Sequence, residues 1–181
     1  VIFVLPRALN NVSSENFKLL FADGAMAAEV RVINSPLMPY ITSRSYLSFL
    51  TRSARSRIYC NNLFDEVLRY ARKAKKIAKA ESFDVIHAHD WLSFLAGVYA
   101  KEASGKPLVV HIHATEFDRT GGLGVNQFVY EIEKHGMEMA DKVIAVSYRT
   151  RDIINEKYGI PKDKIEVLTN EVEKDDVGDL M

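Results

Sequence analysis

The stretch "FDVIHAHDWLSFLAGVYAKEASGKPLVVHIHA", Phe83 to Ala114, decides the fold. Its ends, "FDVIHAHD" and "LVVHIHA", are short runs rich in β-branched residues and read as strands. Between them "WLSFLAGVYAKEA" reads as a helix, ended by Gly105 with Pro107 shortly after. The same rhythm continues on either side. Upstream, Asn61 or Asn62 can cap a helix in which Phe64, Val67, Leu68, Ala71, Ala74, Ile77 and Ala78 form one apolar stripe. Downstream, after a glycine-rich stretch, Phe128, Ile132 and Met139 define a helix face. "DKVIAVS" is the next strand, Ser147 can cap a helix that ends at Gly159, and "DKIEVLTN" is the last strand. From Asn61 onward the order is α-β-α-β-α-β-α-β. The strands lack polar alternation except at their ends, which predicts a parallel sheet buried on both faces and joined by right-handed crossovers. The expected fold class is therefore α/β: a doubly wound, Rossmann-like, mostly parallel sheet in three layers, one domain over residues 1–181.

The first sixty residues say less. Val1 to Leu5 is a wholly apolar run closed by Pro6 and reads as a buried strand. "NFKLLFADGAMAAEVRVINSP" has two strand-like runs around Asp23 and Gly24, which predicts a hairpin or a pair of short strands. Pro36 to Arg57 is aromatic-dotted and Ser-rich, and reads as an irregular loop holding one short helix.

Bulk properties bound the function classes. With 181 residues, 48% of them apolar and 27% charged, the chain is long enough for one soluble globular domain with a core. Lys plus Arg and Asp plus Glu both number 24, and no basic stripe is interleaved with aromatics, so nucleic acid is not an expected partner. The densest basic run, "RKAKKIAK" from Arg72, has apolar residues at helical spacing and reads as a solvated helix face. Cys60 is the sole cysteine; it forbids an internal disulfide, reads as a buried small apolar residue, and fits a reducing, cytoplasmic setting. No apolar run approaches the ~20 residues of a membrane helix. The opening "VIFVLPRALN" lacks an initiator Met and a signal-peptide n-region, and the closing "EVEKDDVGDLM" has no terminal element, so a fragment of a longer protein is expected.

In open parallel sheets, ligands bind outside the carboxyl ends of the strands. That rule selects His87, His89, Asp90, His111, His113, Glu116, Ser147 and Asn170. Two readings of these residues follow from chemistry alone. Residues two apart in a strand share a face, so His87 with His89 and His111 with His113, joined by Asp90, Glu116 and Asp118, can build a metal site of the kind a metal-dependent hydrolase uses. The stretch Thr120 to Gly124, "TGGLG", lies between a strand and a helix, where backbone N–H groups can meet an anion. Gln127 stands where a third glycine would complete G-x-G-x-x-G, and a flexible loop over a cleft is the alternative use.

A third reading comes from likeness. "FDVIHAHDW", "VVHIHATEFDRTGG", "ADKVIAVS" and "GIPKDKIEVLTNEV", spanning Phe83 to Val172, resemble the N-terminal half of a retaining GT-B glycosyltransferase of family 4, and of the bacterial glycogen and starch synthases. The resemblance implies two Rossmann-like domains across a cleft, this chain being the acceptor-side one, and a C-terminal nucleotide-sugar domain as its missing partner. It implies transfer of a hexosyl unit from a nucleotide sugar such as UDP-, ADP- or GDP-glucose to a carbohydrate or other hydroxyl acceptor, with no further cofactor and no metal. His113 matches the family histidine that hydrogen-bonds the donor sugar, and Asp90 the aspartate near the acceptor side; these two are the expected catalytic residues. Trp91, Thr115, Glu116, Arg119 and Asn170 match acceptor-side positions, with Gly121, Gly122 and Gly124 in the loop beside them. For Trp91, packing at a helix start competes with a sugar-facing role; for Glu116 and Arg119, a local ion pair competes with a substrate contact. His87 and His89 are expected to orient the loop, and Ser147 to cap a helix. Glu171 follows Asn170 where family members often carry a small residue. A non-catalytic Rossmann-like binding domain is the alternative from a different class.

Overall fold

The computed structural model describes residues 2–5, 29–32, 35, 37, 41–52 and 62–169. The expectations for Asp23 and Gly24, Cys60, Asn61 and Asn170 fall outside these residues. Strands β1 (Ile2–Leu5) and β2 (Glu29–Val32) form a parallel pair, with Ile2 opposite Glu29 and Leu5 opposite Val32. Helix α1 (Ser43–Arg52) is the short helix expected in the Ser-rich segment.

The second half follows the sequence rhythm closely. In order it is α2 (Leu63–Ala80), β3 (Ile86–His89), α3 (Asp90–Ser104), β4 (Leu108–Ile112), α4 (Glu116–Thr120), α5 (Gln127–Met139), β5 (Lys142–Ala145), α6 (Tyr148–Tyr158), a 3-10 turn (Lys162–Lys164) and β6 (Ile165–Val167). The starts of α2, α5 and α6 have a local cause. The Asn62 side chain accepts the Asp65 N–H at 2.8 Å, Asn126 accepts from Phe128 and Val129, and Ser147 accepts from Thr150 at 3.0 Å, each occupying donors that a first helical turn leaves free. The basic run on α2 is the solvated face expected: Arg72, Lys73, Lys76 and Lys79 are exposed, while Val67, Ala71, Ala74 and Ala78 are buried. Glu66 and Tyr70 join that buried side; Ser35 and Arg69 both donate to the Glu66 carboxylate.

The four-stranded sheet has the order β3-β4-β5-β6, and every pairing is parallel. This is a mostly parallel, Rossmann-like α/β fold, as expected. Consecutive neighbours joined by right-handed crossovers place α3, α5 and α6 on one face. The register agrees: Ala88, Val110, Val143 and Ile165 sit side by side and are buried. The opposite row, His89, His111, Ile144 and Glu166, is exposed or half-buried. The expectation of burial on both faces is therefore not met among the described residues. The strands do alternate, and the alternating residue in β3 and β4 is histidine.

Helix α3 is the centre of the helical layer, in contact with α2, α5, β3 and β4, with Trp91, Phe94, Val98 and Ala100 buried. The face expected for α5 needs correction. Phe128 is 44% and Met139 37% exposed, and the buried side is Val129, Ile132, Glu133, Gly136 and Met137. Gly136 sets that face. A Cβ built there would stand 2.7 Å from the Phe94 Cβ, so the absence of a side chain lets the two helices touch. In an exposed helix interior, Gly→Ala stabilises by roughly 1 kcal/mol. Gly136→Ala is expected to reverse that sign and lower the urea-unfolding free energy by about 1–3 kcal/mol through overpacking. A stabilised variant would show that α5 is free to shift.

Candidate functional site

The carboxyl ends of β3 and β4 carry four imidazoles. His87 and His89 alternate with Ala88 on β3; His111 follows the same parity on β4, and His113 lies just beyond that strand's last residue. Because His89 pairs with His111 in register, the rings gather. The His87 and His111 rings are parallel within 1° at 5.5 Å, His111 and His113 stack at 4.4 Å, and His87 and His89 are 4.3 Å apart. His89 Nδ1 lies 3.2 Å from His113 Nε2, so one of these nitrogens donates to the other. Both ring nitrogens of His111 are buried and have no hydrogen-bond partner among the described residues.

This crowding acts against charge. Burial, then repulsion from His113, His89 and His87, pushes His111 from its ordinary 6.5 down to about 4. His89 is lowered by burial and by its neighbours His87 and His113, with Asp90 opposing. His87 is lowered by burial and by His113. His87, His89 and His111 are therefore neutral nitrogen donors and acceptors at neutral pH.

Asp90 and His113, the pair expected to share a rim, are brought together. The His113 backbone N–H donates to Asp90 Oδ1 at 3.0 Å. Asp90 reaches it from an unusual backbone: with φ 55 it is the one non-glycine residue in the left-handed region among those described. That conformation costs an ordinary residue about 1–2 kcal/mol, less for Asp, and here it aims the carboxylate across to the next strand end. The contact fixes where His113 leaves the sheet.

The residues after His113 are held from behind. Thr115 is fully buried and caps α4; its hydroxyl accepts the Asp118 N–H, and the Asp118 carboxylate accepts from the Thr115 N–H at 2.8 Å. Glu116 is 8% exposed and accepts the Asn126 N–H at 3.1 Å, which closes the glycine loop. Arg119 donates to Glu116, to the Ala114 carbonyl at 2.6 Å and to Glu133 at 2.5 Å. Glu133 is buried, and also accepts from the Glu116 N–H at 3.0 Å and the Tyr158 hydroxyl at 2.5 Å. Burial raises the Glu133 pKa against three donors. Burial alone would lower that of Arg119, but Glu133 and Glu116 more than offset it. The donor set is that of an ionised carboxylate facing a guanidinium, and that assignment satisfies both groups.

Sequence-expected sites thus divide. His113, Asp90, His89, His87 and His111 meet at one strand-end cluster. Trp91 is 8% exposed and its ring packs 6.2 Å from Phe64, so it sits in the core in the packing role rather than offering a face to a sugar. Thr115 and Glu116 are buried, and Arg119 has its donors engaged, so Glu116 and Arg119 belong to a network around buried Glu133 in place of the surface pair weighed for them. Ser147 caps α6 as expected. Gly121, Gly122 and Gly124 all have positive φ, at 62, 78 and 67, which glycine tolerates without strain. As an anion cradle the loop has few donors left: the N–H groups of Gly121, Gly122, Leu123 and Asn126 already bond within it. Sequence reasoning missed Glu133 and Tyr158, which no motif marks. A concavity lined by Ala78, Glu81, Phe83, Ser104 and Lys106 lies at the opposite, N-terminal edge of β3 and β4.

The inner network can be tested against the alternative of a solvated ion pair. The Arg119 side chain is 25% and that of Glu133 2% exposed. Arg119→Ala leaves Glu133 buried without its cation and is expected to lower the unfolding free energy by about 3 kcal/mol, the lower end for a broken buried pair. Glu133→Gln in that background is expected to recover part of the loss in a double-mutant cycle. A loss under about 1 kcal/mol would mark a surface pair.

Sequence comparison finds relatives among known glycosyltransferases. The chain is 31% identical over 96 residues to an uncharacterized glycosyltransferase of Methanocaldococcus jannaschii, covering 52% of this chain and 25% of that protein. It is 30% identical over 112 residues to a glycogen synthase of Mycobacterium tuberculosis, covering 59% and 27%. Over 105 residues it is 33% identical to an alpha-maltose-1-phosphate synthase of Mycolicibacterium smegmatis, covering 54% and 26%. The matched stretch spans about a quarter of each of these relatives. Among the described residues no helix is long and apolar enough to cross a membrane. Residues 22–176 match the sequence model of Glycosyltransferase Family 4, and the chain belongs to that family.

Proposed function

We propose that the chain is the acceptor-binding half of a retaining glycosyltransferase that moves a hexosyl unit from a nucleotide sugar, such as UDP-, ADP- or GDP-glucose, to a carbohydrate or other hydroxyl acceptor. The observation that carries this reading is the shared rim: Asp90 holds the His113 backbone at 3.0 Å where β3 and β4 end. The relatives named glycogen synthase and alpha-maltose-1-phosphate synthase support it.

In such a reaction, charge builds on a departing diphosphate while the anomeric carbon becomes electron-poor. The protein then needs to position and to stabilise rather than to attack. His113 is exposed, at the end of a fixed strand, and presents an imidazole to a sugar hydroxyl. Asp90 sets its position through the backbone. Thr115, Glu116 and Arg119 shape the acceptor loop from behind through Glu133 and Tyr158. Leu123, 83% exposed between Gly122 and Gly124, stands at the loop tip. Asn170, outside the described residues, matches an acceptor-side position by resemblance. A second domain supplies the nucleotide-sugar grip, and no metal or additional cofactor enters the transfer.

The full-length protein, screened against UDP-, ADP- and GDP-sugars with the anomeric configuration of the product read by NMR, tests this. Transfer with retention is expected. His113→Ala is expected to lower kcat by about 10²–10³-fold, the cost of losing one well-placed hydrogen-bond donor. Residues 1–181 by themselves are expected to transfer no sugar. Turnover by this chain at enzyme-like rates would overturn the half-site reading, and an unchanged kcat in His113→Ala would remove its central residue.

A further inference from the structure

We propose that His87, His89 and His111 form a binding site for one divalent transition-metal ion of the zinc type, on the sheet face turned away from α3 and α5. Each offers one ring nitrogen, and the three lie within 4.8 Å of one another. Backbone geometry brings them there. His87 and His89 project from β3 with the same parity, and His111 is the register partner of His89 on β4. The strands are parallel and firmly paired, so the ligands need only side-chain adjustment to close on an ion.

The donor chemistry selects the class of ion. Three imidazoles with no carboxylate among them suit zinc, copper or nickel, and do not suit magnesium or calcium, which take oxygen. Three protein ligands leave a position for water. His111 adds a separate observation: both its ring nitrogens are buried and lack a hydrogen-bond partner among the described residues. A buried polar group left so calls for a partner, which a metal supplies. The fourth imidazole fits around such a site. His89 Nδ1 is 3.2 Å from His113 Nε2, which leaves His89 Nε2 for the ion. With that nitrogen coordinated, Nδ1 carries the proton and donates to His113, the outer partner that a metal-bound histidine ordinarily has.

Titration of the purified full-length protein with Zn²⁺, sugar absent, tests the site. One saturable ion per chain is expected. His87→Gln and His111→Gln are each expected to weaken binding by more than the roughly 10–100-fold that loss of an outer partner brings. His135→Gln, at an exposed position on α5, is expected to leave it unchanged. Co²⁺ in place of Zn²⁺ is expected to show the intense visible bands of a four-coordinate nitrogen-rich site, lost in the same two variants. If His111→Gln fails to fold, His87→Gln at its exposed position carries the comparison. Absence of saturable Zn²⁺ binding, or wild-type affinity in either ligand variant, overturns the proposal. Neither result touches the glycosyltransferase reading, whose assay contains no zinc.

Discussion

The structure depends on the period-two alternation of β3 and β4. Ala88 and Val110 face the helical layer and are buried; His87, His89 and His111 face the other way. A parallel register leaves no freedom in this, because slipping one strand by a single residue would send its histidines into the core and its apolar residues out. The helical layer forces the choice. With α3 lying directly on β3 and β4, and Phe94 against Gly136 of α5, the side facing those helices admits only small or branched apolar groups. Polar function is confined to the other face and to the strand ends.

At those ends two devices convert a sheet edge into a fixed surface. One is the Asp90 carboxylate, which binds the backbone of His113 and locks adjacent strand ends together. The other is the network of Arg119, Glu116, Glu133 and Tyr158, which anchors the loop after β4 to α5 and α6. The first costs a left-handed Asp and the second buries two carboxylates. Their combined effect is that His113 and the glycine loop stand on elements that cannot drift independently. A hydrogen-bonding group aimed at a transition state needs that kind of support, since a displacement of about 1 Å can cost 10²-fold in rate.

Much of this was legible in the residues. The alternation of helix and strand from Asn62 to Val167, the caps at Asn62 and Ser147 and the helix end at Gly105 follow from local rules that act over a few residues. The strand-end rule picked out Asp90 and His113 because topology alone fixes which edge is open. What the sequence concealed was long-range. Glu133 looks like any helix glutamate; only its approach to Arg119 and Tyr158, 14 and 25 residues away, makes it buried. The α5 face was misread because Phe128 and Met139 are large and apolar, whereas the residue that decides the docking angle, Gly136, is the smallest. α4 did leave a mark, the T-x-x-D of Thr115 and Asp118, a short capping box that a search for longer apolar periods passes over. The exposed row on the second sheet face among the described residues was also written in the strands, since H-A-H and H-I-H alternate.

That last point bears on why the imidazoles are there. If the exposed row of β3 and β4 served stability alone, β-branched or threonine side chains would fill it with better strand propensity and no unsatisfied nitrogen. Instead His111 holds two buried ring nitrogens without partners among the described residues, and three of the four imidazoles have their protonation suppressed by burial and by one another. A cluster that is costly as packing and poor as a charge has one chemical property left, a concentration of neutral nitrogen lone pairs on a rigid frame. His113 is exposed at the strand end, where the proposed function places a sugar. His87, His89 and His111 direct that property toward one another, and what neutral imidazoles that close can share is a proton or a metal ion. The two proposals divide the cluster along a single face, one imidazole for substrate and three for a metal ion that takes three donors at once.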